Sequence, residues 1–157
     1  MVEEGNKSNP VGESVRANVR RLRAAKGYSY AELAERLEEI GWRIPVIGLR
    51  RIESGDRRVD VGDLMALAHV FNSSPLDLLV DPHADEGEVY QVTSSLVSTV
   101  ESTREFIRGN QPLMDIANNS SPAASGWMSD FVTGLPPARG QKVWQKYIEQ
   151  LRKDGDQ

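Results

Sequence analysis

Between Ser14 and Leu79 apolar residues return at helical spacing in five short bursts, each closed by a residue that stops a helix. Val15, Val19 and Leu22 recur at i, i+4 and i+7, which gives a first helix one apolar face, and Gly27 ends it. Ser29 with Glu32 three positions on has the form of a capping box. The second helix so opened turns Ala31, Leu33, Ala34 and Leu37 inward and stops near Gly41. A short third helix is predicted from about Pro45 to Ser54, because proline suits a first helical turn and Gly55 can close the last one. Asp60 can cap a fourth, with Asp63 at its third position and Val61, Leu64, Leu67, Ala68 and Phe71 facing in. Ser74-Pro75-Leu76-Asp77 opens a fifth that carries Leu78 and Leu79. No alternating strand pattern competes in this half.

Outside that stretch the pattern weakens. Residues 1–13 hold Gly, Asn, Ser and Pro with few apolar groups and are expected to form a disordered arm. Asp81 to Gly87 is acidic and rich in helix breakers, the start of a linker expected over 81–93. A sixth helix is predicted from about Ser94 to Arg108 on Leu96, Val100 and Ile107, with Gly109 as its stop. Residues 109–126, rich in Asn, Ser, Pro and Gly, read as a loop. After Pro136-Pro137 and Gly140 a last amphipathic helix runs from Gln141 to about Lys153, with Val143, Trp144, Tyr147, Ile148 and Leu151 on one side. The expected fold is all-α: a compact five-helix domain over 14–80, then a helical, loop-rich assembly or effector segment over 94–157.

Charge sharpens this division. The chain of 157 residues has a net charge of −4, which by itself argues against a polyanion partner. Its distribution argues the other way. From Ser14 to Arg58 eleven Arg and Lys face six Asp and Glu, whereas from Val59 onward seven basic residues face fourteen acidic ones. A basic domain followed by an acidic segment points to a nucleic-acid partner for the first part.

Other chemistries find little support. There is no cysteine, hence no disulfide framework and no thiolate metal site. His69 and His83 stand fourteen positions apart without other ligand-type residues at metal spacing. The adjacent carboxylates Glu38 and Glu39 would point apart on a helix and make a poor acid/base pair. No nucleophile–base set or phosphate-binding glycine loop occurs, so neither an enzyme nor a cofactor is expected. No apolar run approaches a membrane span, and Met1 to Pro10 lacks an apolar signal core, so a cytoplasmic location is expected.

The ordered blocks Leu22-Arg23-Ala24-Ala25-Lys26-Gly27, Ser29-Tyr30-Ala31-Glu32-Leu33-Ala34, Leu49-Arg50-Arg51-Ile52-Glu53-Ser54-Gly55, Asp60 to Ala68 and Ser74 to Leu79 carry a resemblance. The stretch resembles the Cro and lambda-repressor type of helix-turn-helix domain, the xenobiotic-response-element family, over about 65 of 157 residues. The resemblance implies double-stranded DNA as partner, with the third helix in the major groove. It places Val46, Ile47 and Arg51 on base-facing positions, beside Arg50 on the same helix. Arginine can bond guanine O6 and N7 together, and the two apolar residues either meet thymine methyls or pack within the domain in a register shifted by one. The same resemblance places Tyr30, Arg57 and Arg58 at the DNA backbone, although Arg57 and Arg58 read equally well as solubilising charge; Arg43, just before the third helix, is a further backbone candidate. It implies a buried salt bridge between Arg23 and Glu53.

The stretch departs from the family pattern between Leu37 and Ile44, which is longer than the usual turn by about five residues. A wing-like loop is expected there, with Trp42 in the core. The arginine-rich style and the block Arg58 to Leu64 look like regulators of high-GC bacteria and their phages, where an immunity repressor is one such role. The Ala-Gly or Cys-Gly bond cut by self-cleaving repressors does not occur. The stripe of Trp144, Tyr147, Ile148 and Leu151 needs a partner surface. Two alternatives stand: the helix at 94–108 of the same chain, or a second subunit in a homodimer. An antitoxin whose C-terminal segment binds a protein partner is the competing functional class.

Overall fold

The computed structural model describes residues 9–117 and 127–155. Eight of the described elements are helices: α1 (Pro10–Ala25), α2 (Tyr30–Glu39), α3 (Val46–Ser54), α4 (Val61–Phe71), α5 (Pro75–Leu79), α6 (Val100–Ile107), α7 (Trp127–Thr133) and α8 (Pro137–Gly155). A small sheet of β1 (Val89–Gln91) and β2 (Val97–Thr99) completes the set. The chain divides into two compact units, the first ending at Ala84 but also holding Gln91–Ser95, the second made of Asp85–Tyr90 and the residues from Leu96. No helix among the described residues is long and apolar enough to cross a membrane.

In the first unit, local sequence signals and helix boundaries agree closely. Ser29 accepts from the Glu32 amide at 3.2 Å while Glu32 accepts from the Ser29 amide at 2.7 Å, a reciprocal capping box. Ser74 and Asp77 repeat that arrangement at α5, and Asp60 caps α4 through the Asp63 amide at 2.7 Å. At the end of α3, Gly55 adopts φ +93° and returns its amide to Arg51 and Ile52. The core is built from Val15 and Val19 of α1, Leu33 and Leu37 of α2, Leu49 and Ile52 of α3, Leu67 and Phe71 of α4, and Leu78 of α5. Ile44, on the connection into α3, joins them.

The arm is shorter than expected. Helix α1 starts at Pro10, where Asn9 caps it by accepting from the Gly12 amide at 3.0 Å and proline occupies the first turn. Residues 10–13 therefore belong to the helix. Residues 1–8 of the expected arm lie outside the described residues.

The second unit brings larger corrections. The expected linker and the start of the sixth helix contain the two strands, and α6 begins only at Val100. Each strand has a single buried central residue, Tyr90 in one and Ser98 in the other. Three residues are too few for an alternating pattern to stand out from its surroundings. Thr99 then caps α6 by accepting from the Ser102 amide. Helix α8 starts at Pro137 rather than Gln141, for the same reason that α1 starts at a proline. It is tied to α6 within this unit by Lys146 and Glu105 at 3.3 Å and by the Arg139 guanidinium donating to the Arg108 carbonyl. The expected apolar stripe divides: Val143 is buried, Tyr147 and Ile148 are half-buried, and Trp144 is 42% exposed. The Leu151 side chain lies outside the described residues.

Candidate nucleic-acid interface

Helix α3 has two contrasting faces. Gly48, Leu49, Ile52 and Glu53 are buried, while Ile47, Arg50, Arg51 and Ser54 are exposed at i, i+3, i+4 and i+7. Val46, one position before the exposed stripe, is half-buried. Ile47, at 58% exposure, is a large aliphatic group open to solvent beside two arginines. This geometry separates the two apolar candidates: Val46 shares its surface with the domain, whereas Ile47 is free to meet a thymine methyl.

The buried face is held by a polar cluster centred on Glu53, which is only 4% exposed. Arg23 donates to both carboxylate oxygens, Nε to Oε1 at 2.6 Å and Nη2 to Oε2 at 3.0 Å, the bidentate fork that suits a planar guanidinium. The Tyr30 hydroxyl donates to Oε2 at 2.9 Å, and Arg20 stands 3.6 Å away. Burial pushes the Glu53 carboxyl up, but the hydrogen bonds from Arg23 and Tyr30, with the charges of Arg23 and Arg20, outweigh it and hold it below its ordinary value. The hydrogen bond to Glu53 in turn raises Arg23. Arg20 and Arg16 also donate to the carbonyls of Glu53 and Ser54, placing two cations at the negative end of the α3 dipole.

This cluster revises the role of Tyr30. A phenol has one hydrogen to donate, and here it is engaged in the hydrogen bond to Glu53, which would have to break before the hydroxyl could donate to a phosphate. Its ring serves as a platform instead. The Arg23 guanidinium lies 4.1 Å from the ring centroid and that of Arg50 lies 5.3 Å from it. Arg50 is thereby drawn toward α2, while Arg51, one position on, makes no such contact among the described residues.

A second polar cluster escaped the sequence reading. Asp63, 2% exposed, accepts from the Trp42 indole Nε1 at 3.0 Å and from Arg57 Nη2 at 2.8 Å. Arg57, expected on the DNA backbone, therefore spends its charge on a buried carboxylate. Trp42, expected in the core, is 39% exposed and hydrogen-bonded. Its ring lies so close to α4 that a Cβ at Gly62 would stand 2.5 Å from its Cη2. Arg57 packs in the same way on α3, where a Cβ at Gly48 would be 2.9 Å from its Nη1. The one signal available in sequence was an acidic residue in the first turn of α4. That residue reads as half of a capping box, but its carboxylate faces Trp42 and Arg57 rather than the Asp60 amide.

Arg43, Arg51 and Arg58 are exposed, and among the described residues none of them enters an ion pair. The uncompensated positive charge around α3 thus sits on the helix itself, on the loop before it and on the loop after it. No group of His, Asp and Glu among the described residues could hold a metal ion. Residues 19–78 match the family model described as helix-turn-helix. No curated protein and no solved structure matches the chain significantly.

Proposed function

We propose, from the premise that this chain is a DNA-binding transcriptional regulator with a helix-turn-helix domain of the xenobiotic-response-element type at residues 19–78, that it represses transcription by occupying a specific operator. The exposed arginine–isoleucine face of α3, opposite a buried face locked by Glu53, is the observation that carries the reading. A short helix anchored on one side and open on the other can enter the roughly 12 Å major groove. In this reading Arg51 bonds a guanine through O6 and N7 and Ile47 meets a thymine methyl. Arg50 and Val46 border those contacts, and Arg43 and Arg58 meet phosphates.

Arg51→Ala is expected to keep the fold and to cost about 1–3 kcal/mol of binding to a selected duplex, with relaxed preference at one base pair. Arg58→Ala should weaken selected and scrambled duplexes alike. Anisotropy titrations on both duplexes measure the difference. Equal affinities of parent and Arg51→Ala on both would show that the register assigned to α3 is wrong. A reporter promoter overlapped by the selected site checks the sign of regulation: its output should fall when the chain is expressed, and a rise would exclude repression.

We further propose that a homodimer delivers two such domains to half-sites about 34–36 Å apart. Trp144 supports this, since it is an exposed indole on a helix where Val143 is buried and Tyr147 and Ile148 are half-buried, and its ring stands 6.0 Å from that of Tyr147. Sedimentation of the full chain should give a dimer that Trp144→Ala converts to monomer. A parent chain that stays monomeric at concentrations well above its operator affinity would leave α8 as intramolecular packing alone.

A further inference from the structure

The connection between α2 and α3, residues 40–45, is held at three places. At its start, Gly41 with φ +75° and the Trp42 amide close the end of α2 onto the Glu38 and Leu37 carbonyls, both at 2.9 Å. At its end, Ile44 is buried in the core. Between them the Trp42 indole reaches α4 and donates to Asp63, which is itself fixed by Arg57. Arg43 lies between the two anchored residues, and its own side chain is exposed. A longer connection than the motif requires is ordinarily free to move. Here it is tied by a hydrogen bond to a buried carboxylate, and the residue so presented is a cation immediately before the helix that enters the groove.

We infer that Trp42 is a positioning residue for DNA binding: its bond to Asp63 orders the 40–45 loop so that Arg43 meets a phosphate beside the recognition helix. The inference rests on the reading of Arg43 as a backbone contact. Its physical basis is preorganisation. A loop already ordered in the free protein loses less conformational entropy when its cation docks, so the contact contributes more to affinity. Asp63 makes this possible without cancelling the charge of Arg43, because its own charge is already paired with Arg57.

The test uses the full chain and a duplex that it selects from random-sequence DNA. Arg43→Ala should lower affinity and reduce the slope of log affinity against log salt by about one, the signature of one lost phosphate contact. Trp42→Phe keeps an aromatic side chain and removes the N–H, and should flatten the slope in the same direction with a loss of about threefold to tenfold, within the effect of one phosphate contact. In the Arg43→Ala background the Trp42→Phe substitution should change affinity less than about twofold, because the two act through one contact. Fully additive losses, or an unchanged slope in Trp42→Phe, overturn the positioning role. An unchanged slope in Arg43→Ala overturns the loop contact itself, while Arg51→Ala still tests the helix. Hydrogen exchange at the Trp42 indole N–H needs no substitution. It should be slow in the free parent chain, and exchange at the rate of a free indole would show that the loop is not held.

Discussion

Replacing Glu53 by Ala is expected to destabilise the first unit by about 3–5 kcal/mol, the range for removing one partner of a buried ion pair. The carboxylate is 4% exposed and answers four groups: both nitrogens of the Arg23 fork, the Tyr30 hydroxyl and the nearby Arg20. Its loss leaves Arg23, which is only 17% exposed, without its anion in the interior. The double substitution Arg23→Met/Glu53→Leu should recover much of the loss, because an apolar pair of similar volume needs no compensation. Acid adds a second readout. The Glu53 carboxyl is held below its ordinary value against the opposing effect of burial. Its contribution is therefore complete above the ordinary carboxylate pKa and is lost as the pH falls through the lower folded-state value. Thermal melts of the parent should show a larger drop on acidification than melts of Glu53→Ala. A Glu53→Ala chain as stable as the parent at neutral pH would show that the cluster does not hold α1 to α3.

Asp63→Ala is the second large effect, at about 2–3 kcal/mol, from lost charged hydrogen bonds and an indole left without an acceptor. The figure sits below that for Glu53 because the Arg57 side chain is 34% exposed and water replaces part of its pairing. The α4 cap isolates the cause. Asp60 accepts from the Asp63 backbone amide, which alanine retains, so Asp63→Ala leaves the cap intact. Asp60→Ala removes the cap alone and should cost about 1 kcal/mol. Asp63→Asn keeps an oxygen for Trp42 but loses the charge opposite Arg57, and should fall between parent and alanine. Denaturant melts of the three variants order these effects. If Asp63→Ala cost no more than Asp60→Ala, the Trp42–Asp63–Arg57 cluster would have no stabilising role.

The five helices of the first unit were legible in the chain because their determinants are local. Capping boxes at Ser29 and Ser74, the Asp60 cap, Gly55 and the i, i+4 apolar positions act within one or two turns, so reading them needs no knowledge of neighbours. Local signals also account for the main boundary errors. Asn9-Pro10 is a cap followed by a first-turn proline, as Pro137 is for α8, and both helices start earlier than their apolar periodicity alone suggests. The two strands were not legible, since three residues give one period of alternation and their pairing is set by chain that is not adjacent.

The sequence by itself determined the helical class of this protein, its basic first domain and the amphipathic α3 with arginines on one side, since propensity, capping and charge reside in neighbouring residues. Only the tertiary structure decided which of the charged residues are free. Arg51 and Arg57 look alike in the chain, yet Arg57 is consumed by Asp63 and Arg51 is not. Tyr30 reads as a phosphate donor in the chain, yet in the fold its hydroxyl donates to Glu53 of another helix. Trp42 looked like core until α4 supplied a buried acceptor. The physical reason is the same in each case. A polar side chain's availability depends on which opposite or complementary group the fold brings within about 3 Å, and those partners lie 6 to 23 positions away in sequence.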